Sequence, residues 1–199
     1  MTTATISRQT SAHELEQGDH MDAAEFHRRY LLHPWLKKAE LIDGVVYVPS
    51  PARSRQHGHP HFQLIGEMHA YAKITPGVIG DDNATYRAGP HDEPQPDVML
   101  RWDGGHGGRS YLDDGGYVTG VPELIAEVSG SSRSYDLHEK KDLYRRMGVQ
   151  EYVVWQTEEG RLDWWELIDG EYLPLPPEAD GTIRSRVFPG LTLRPADLR

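Results

Sequence analysis

Hydrophobic and polar positions along the chain follow two periods, and the points where one gives way to the other mark out the elements. Residues 22 to 33 place Phe26, Tyr30 and Leu31 at helical spacing and stop before Pro34, which predicts a short helix. Glu40-Leu-Ile-Asp-Gly-Val-Val-Tyr-Val then reads as a hairpin turning on Asp43-Gly44, a pair that tolerates the left-handed backbone of a two-residue loop. The string Glu-Leu-Ile-Asp-Gly returns at Glu166 to Gly170, which reads as repeated turn chemistry and not as a domain repeat. A longer helix is predicted from Pro60, at the favoured first position, through Leu64, Ile65, Met68 and Ala72 to a stop at Pro76. Strands are predicted at 78 to 87, 95 to 101, 121 to 129, 150 to 156, 161 to 168 and 171 to 174, with Trp164 and Trp165 on opposite faces. Before the fourth of these lies a helix around Lys140, whose start reads as a capping box of Asp136 and Glu139.

Two stretches lack either period. Residues 1 to 20 are Thr-, Ser-, Gln- and Glu-rich and are expected to be a disordered leader, leaving 21 to 199 as one domain. Asp103 to Gly120 is glycine-rich and poor in apolar residues, so a loop is expected there.

The helix around Lys140 contains the most informative departure from pattern. At about 100° per residue Leu137, Leu143, Tyr144 and Met147 share one side, and Lys140 falls near the middle of it while Lys141 points away to solvent. A lysine centred in an apolar stripe either snorkels outward or meets a buried negative charge. The preceding strand offers such a charge in Glu127, within Pro-Glu-Leu-Ile-Ala-Glu-Val-Ser, and the strand before that carries Asp97 after Pro96. Without a metal, Asp97 reads as a strand-end turn and Glu127 as a salt-bridge partner of Lys140; together the three residues are what a divalent-metal phosphodiester hydrolase needs.

Composition narrows the chemistry. The 199 residues are 37% hydrophobic, with no stretch long enough to span a membrane and no cysteine, which removes disulfides and thiolate zinc sites. Residues 1 to 20 lack the apolar core of a signal peptide, so the expected location is cytoplasmic. A formal charge of -10 argues against holding nucleic acid by bulk electrostatics, although acids gathered round a metal turn into counter-charge once the cation binds.

Pro96-Asp97, Glu127-Val-Ser, then Asp136-x-x-x-Lys140-x-x-x-Tyr144-x-x-x-Gly148-Val-x-Glu151-Tyr152 resembles the Uma family of restriction-endonuclease-like proteins, within the PD-(D/E)XK nuclease superfamily. The resemblance spans roughly residues 38 to 195, from Glu40-Leu-Ile-Asp-Gly to the closing Phe188-Pro-Gly-Leu. It implies an α/β (α+β) fold, a restriction-endonuclease-like mixed β-sheet flanked by helices, with an N-terminal β-hairpin extension. The superfamily's lysine usually sits two residues after the second acid, where this chain has Ser129. The resemblance implies that Lys140 supplies the same ammonium from the following helix.

The implied reaction is hydrolysis of DNA phosphodiester bonds to leave a 5'-phosphate. Asp97, Glu127 and the Val128 carbonyl would bind Mg2+, with Mn2+ as a substitute, since hard cations want oxygen ligands. Lys140 would assist water activation and offset charge at phosphorus. Glu40 resembles the family's acid before the first hairpin, against an ordinary exposed strand residue. His57 matches a family histidine near the site, a water- or phosphate-contacting group; His59 and His61 read as polarity at a helix entry. Arg133, with the amides after Ser129, reads as a phosphate contact or a capped turn. Arg87 and Arg101 read as backbone contacts, and Tyr86 and Trp102 as base-stacking groups, or as common strand-end residues.

Two further functions stay open: a nuclease-fold binding or regulatory module with a weak or inactive site, and a metal-dependent hydrolase of a smaller phosphate ester. Cutting both strands of a duplex would favour a homodimer, and exposed strands near the chain ends leave such pairing open.

Overall fold

The computed structural model describes residues 14–130 and 133–199. Asp22 accepts from the Glu25 amide and caps helix α1 (Ala23–Leu31). Strands β1 (Glu40–Ile42) and β2 (Val45–Tyr47) form the expected hairpin, and Asp43 and Gly44 both take positive φ, 49° and 74°. Residues 14–20 depart from the expected disorder: the Gly18 amide donates to the Val46 carbonyl, and the Val46 amide donates to Asp19. Leu15 is the reason, since it is buried with Phe26, Leu41 and Val46 and supplies an apolar anchor to a polar stretch. The rest of the expected leader, residues 1–13, lies outside the described residues.

A π-helical turn (Ser54–Gly58) runs directly into helix α2 (His59–Ile74), with Pro60 in its first turn and Leu64 and Met68 on the buried face. Strand β3 (Val78–Asp82) then ends where Asn83 adopts a left-handed φ of 48°, so the expected strand from 78 to 87 is split and β4 (Tyr86–Arg87) joins a different sheet. Strand β5 (Val98–Trp102) follows Asp97. The expected loop at 103–120 instead contains β6 (Ser110–Leu112) and β7 (Val118–Gly120), an antiparallel pair that β4 extends in parallel. Val118 buried against Tyr86 gives that glycine-rich stretch its anchor.

Strand β8 (Leu124–Ser129) leads to α3 (Arg133–Leu137) and α4 (Glu139–Met147), followed by β9 (Glu151–Gln156), β10 (Arg161–Ile168) and β11 (Glu171–Pro174). The capping box is not formed. His138 stands at the N-cap without a side-chain cap bond, and Asp136, two residues earlier, belongs to α3 and is buried beside Lys140. Short strands β12 (Ile183–Arg184) and β13 (Thr192–Leu193) close the chain as a pair.

The main sheet has the order β11-β10-β9-β8-β5-β3, antiparallel except for the central β8–β9 pair. This is the mixed, helix-flanked architecture expected from the sequence. Alternation assigns its faces. Leu124, Ala126, Val128 and Trp164 pack on one side against α2 and Phe188, while Ile125, Met99, Tyr152 and Val154 pack on the other against Leu143 and Tyr144 of α4. Trp165 borders this second side, so the two tryptophans divide between the faces as their adjacency requires. Glu127, between Ala126 and Val128, is thereby turned toward α4.

Candidate active site

Register brings the two acids together. Val98 pairs with Ala126 across the antiparallel β5–β8 ladder, so the residues just beyond, Asp97 and Glu127, fall side by side. The Val128 amide donates to Asp97 Oδ2 at 2.8 Å, and the Asp97 amide makes a longer contact, 3.4 Å, to Glu127 Oε2. Lys140 reaches up from α4: its Nζ lies 2.9 Å from Glu127 Oε1, 2.9 Å from Glu40 Oε1 and 3.9 Å from Asp136 Oδ1. All of these side chains are buried, Asp97 and Glu127 at 2% exposure and Lys140 at 3%. Lys140 therefore does not snorkel, and Glu40 is not an exposed strand residue. Lys141 departs from expectation, because its ammonium rests 3.8 Å above the Trp165 ring and is only partly open to solvent.

His57 enters from the π-helical turn, whose wider backbone repeat sets it over the end of β8. Its Nδ1 is 3.0 Å from the Val128 carbonyl, and since a carbonyl only accepts, Nδ1 carries the proton. Nε2 is 3.7 Å from Asp97 Oδ1. The approach of the turn to the strand end is close: a Cβ at Gly130 would stand 3.0 Å from the Gln56 carbonyl.

Equal burial gives the two acids opposite behaviour. Burial pushes the Asp97 carboxyl up, but Lys38, His57 and Lys140 outweigh it and hold the group down at about 2. Burial pushes Glu127 up, and although Lys140 opposes this, Asp97 and Asp136 reinforce it, leaving the carboxyl at about 8. Glu127 shares its one ammonium with Glu40 and Asp136, whereas Asp97 has an ammonium of its own. Burial alone would lower Lys140, yet Glu127, Glu40 and Asp136 hold its ammonium well above the usual range.

Along the chain this site falls inside a longer resemblance. Residues 23–196 match the model of the Uma2 family, described as "Putative restriction endonuclease". The chain belongs to this family. The fold is also that of a crystallised protein from Anabaena variabilis described as a putative nuclease belonging to DUF820, with a TM-score of 0.61 at 15% identity over 86% of this chain and 95% of that one. No curated protein sequence matches.

The donor set suits a hard divalent cation in its chemistry, because every candidate ligand is oxygen. Among the described residues four carboxylates, Glu40, Asp97, Glu127 and Asp136, gather around Lys38 and Lys140, an excess of acids that suits a bound cation. Ser129, two residues beyond Glu127 on the same strand face, holds a buried hydroxyl with no hydrogen-bond partner, a position that ordered water would satisfy. Among the described residues no three His, Asp or Glu side chains form a ready-made metal cage. Magnesium does not require one, since it is commonly held by one or two carboxylates and keeps several waters.

Several participants escaped the sequence reading. Lys38 Nζ donates to Asp97 Oδ1 at 2.9 Å from the irregular segment just before β1, where no period marks which side chains turn inward. The Tyr144 hydroxyl donates to Glu127 Oε1 at 3.0 Å, from the same stripe as Lys140. His61, one turn after His57, places Nε2 3.1 Å from the Asp97 carbonyl and 3.3 Å from Asp82 Oδ1. The arginines flanking Asp97 contribute no free charge: Arg87 pairs with Asp113 and Arg101 with Asp81. Tyr86 is in the core and Trp102 stacks on Phe188, so neither is presented for bases. The side chain of Arg133 lies outside what the structure describes.

The elevated Glu127 carboxyl makes stability depend on pH in a defined direction. An acid whose folded pKa exceeds its unfolded value near 4.5 binds more protons when folded, so its stabilisation is complete below about pH 4.5 and is lost as pH rises toward about 8. In chelator, the wild-type melting midpoint is expected to fall across this window, and the fall should be shallower in Glu127→Gln. Millimolar manganese should restore the wild-type midpoint at pH 8 and leave that of Glu127→Gln unmoved. Thermal melts at stepped pH read this directly; matching slopes would remove Glu127 as the source of the pH dependence.

Proposed function

We propose that this Uma2-family chain is a divalent-cation-dependent endonuclease that hydrolyses DNA phosphodiester bonds. Its family and fold support a nuclease. The observation that carries the finer reading is the buried Asp97–Glu127–Lys140 arrangement, in which two acids and an ammonium converge from three separate elements. Asp97, Glu127 and the Val128 carbonyl are the groups that would hold the cation, which would supply Lewis acidity for activating water and for offsetting charge at phosphorus. The chain's own groups do the rest. Lys140 holds the Glu127 carboxylate through Oε1, with the Tyr144 hydroxyl on the same oxygen, which leaves Oε2 directed toward Asp97. Glu40 pairs with Lys140 on its other side and keeps the ammonium charged and placed. His57 fixes the Val128 carbonyl through Nδ1 and leaves Nε2 on the side of Asp97, placed to exchange a proton with water.

Beside the His57 turn lies a cavity of about 450 Å3 lined by Arg53, Arg55, Gln56, Thr157 and Glu158. Its two arginines suit the sugar–phosphate backbone, whereas Arg87 and Arg101 are already neutralised. The same paired arginines, with the overall charge of -10, favour a second reading, a nuclease-fold binding module without turnover. Cytoplasmic location and pairing of two copies for double-strand cleavage belong to the endonuclease proposal; among the described residues no helix is long and apolar enough to cross a membrane.

Incubating supercoiled plasmid and labelled single strands with the purified chain across magnesium and manganese tests the reading, with Asp97→Ala as control. Nicked or linear product is expected with cation, none in chelator or with Asp97→Ala. A cation-dependent rise in melting temperature without any product would select the binding module, and the absence of both product and melting shift would overturn the metal site itself.

A further inference from the structure

We propose that Lys38 is a tethered counter-cation of this site, occupying Asp97 Oδ1 until a divalent ion takes its place. The proposal rests on the cation-dependent reading above. Lys140 approaches the acids from the protein interior, but Lys38 approaches from the solvent side, with 22% of its side chain exposed. Its Nζ is held twice, donating to Asp97 Oδ1 at 2.9 Å and to Asn83 Oδ1 at 3.2 Å.

The second of these contacts is built. Asn83 sits at φ 48°, where asparagine is among the few non-glycine residues tolerated, and its amide nitrogen donates to Asp82 Oδ1, which turns Oδ1 toward Lys38. The Asn83 main-chain N–H donates to the Asp97 carbonyl, and the Asn83 carbonyl accepts from the Gln95 side chain. The end of β3 is thus clasped to the segment that carries Asp97, and Lys38 is seated in the clasp.

An ammonium at hydrogen-bond distance from a carboxylate oxygen repels a dication binding the same oxygen. One must leave. Lys140 is enclosed and tied to three carboxylates, whereas Lys38 has a flexible stem and a partly open path outward, so Lys38 is the group that yields. In the cation-free protein it is the nearest cationic partner of the buried, ionised Asp97, whose loss would be destabilising.

The test titrates manganese into wild type, Lys38→Gln and Asn83→Gly, following both the melting temperature and the bound ion by calorimetry. Glycine is chosen at Asn83 because it accepts the left-handed backbone while deleting only the amide that seats the ammonium. The half-saturating manganese concentration is expected to fall by roughly tenfold in Lys38→Gln and by less in Asn83→Gly. Binding in Lys38→Gln alone would also support the proposal, as complete occlusion by the lysine. An equal or higher half-point in both variants, with wild type still binding, overturns it and leaves the cation reading intact. Binding in none of the three overturns both. Should Lys38→Gln fail to fold, the half-point of Asn83→Gly decides.

Discussion

Lys140→Ala is expected to lower the free energy of unfolding by about 3–5 kcal/mol in chelator at pH 8, read by urea denaturation. The geometry gives Lys140 a structural share besides any chemical one. One ammonium lies 2.9 Å from Glu127 and from Glu40 and 3.9 Å from Asp136, so its loss leaves three buried acids facing one another. Breaking a buried ion pair from one side costs far more than the pair contributes, since the partner's desolvation is no longer offset. The cost should shrink as pH falls and the stranded carboxylates take up protons. It should also shrink with manganese, which can replace the lost positive charge. Lys141→Ala should lose only the stacking over Trp165, about 0.5–1 kcal/mol, with little response to pH or cation. A Lys140→Ala chain as stable as wild type in chelator would mean that these carboxylates are not held ionised.

Much of this was legible because burial imposes period. Lys140 stood out as a charge at the centre of an apolar helical stripe, and Glu127 as the same anomaly on a strand whose every other side chain faces the core. The turn at Asp43-Gly44 followed from backbone sterics alone. What escaped was set by tertiary contact. Val118 makes a strand of a glycine-rich stretch only because Tyr86 pairs beside it on β4, and Leu15 orders a polar segment only because the β1–β2 hairpin gives it a pocket. The expected cap failed because Asp136 already belongs to the preceding short helix, and the helix that carries Lys140 starts only after the break at His138. Lys38 was hidden because it stands between two elements, where no period separates an inward lysine from an outward one.

Replacing Glu40 and Lys140 together, as Glu40→Gln/Lys140→Met, should reduce turnover by about two to three orders of magnitude while leaving the chain folded and able to bind cation. Single substitution at Lys140 confounds chemistry with stability, because one ammonium pairs with three buried acids. The double variant removes one negative and one positive charge, so the net charge of the cluster and its packing volume are kept; Glu127 and Asp136 still lose the ammonium, and manganese present throughout the assay replaces that charge and holds the fold. Asp97 and Glu127 remain to hold the ion, so the manganese-dependent melting shift should persist. What the variant lacks is the ammonium 2.9 Å from Glu127, the charge best placed to offset the transition state from inside the protein. The loss should therefore appear in kcat at saturating cation and DNA. Glu40→Gln alone measures the part due to the carboxylate. Plasmid cleavage within about threefold of wild type, in a folded double variant that still binds manganese, would take Lys140 out of the chemistry and leave it a structural counter-charge.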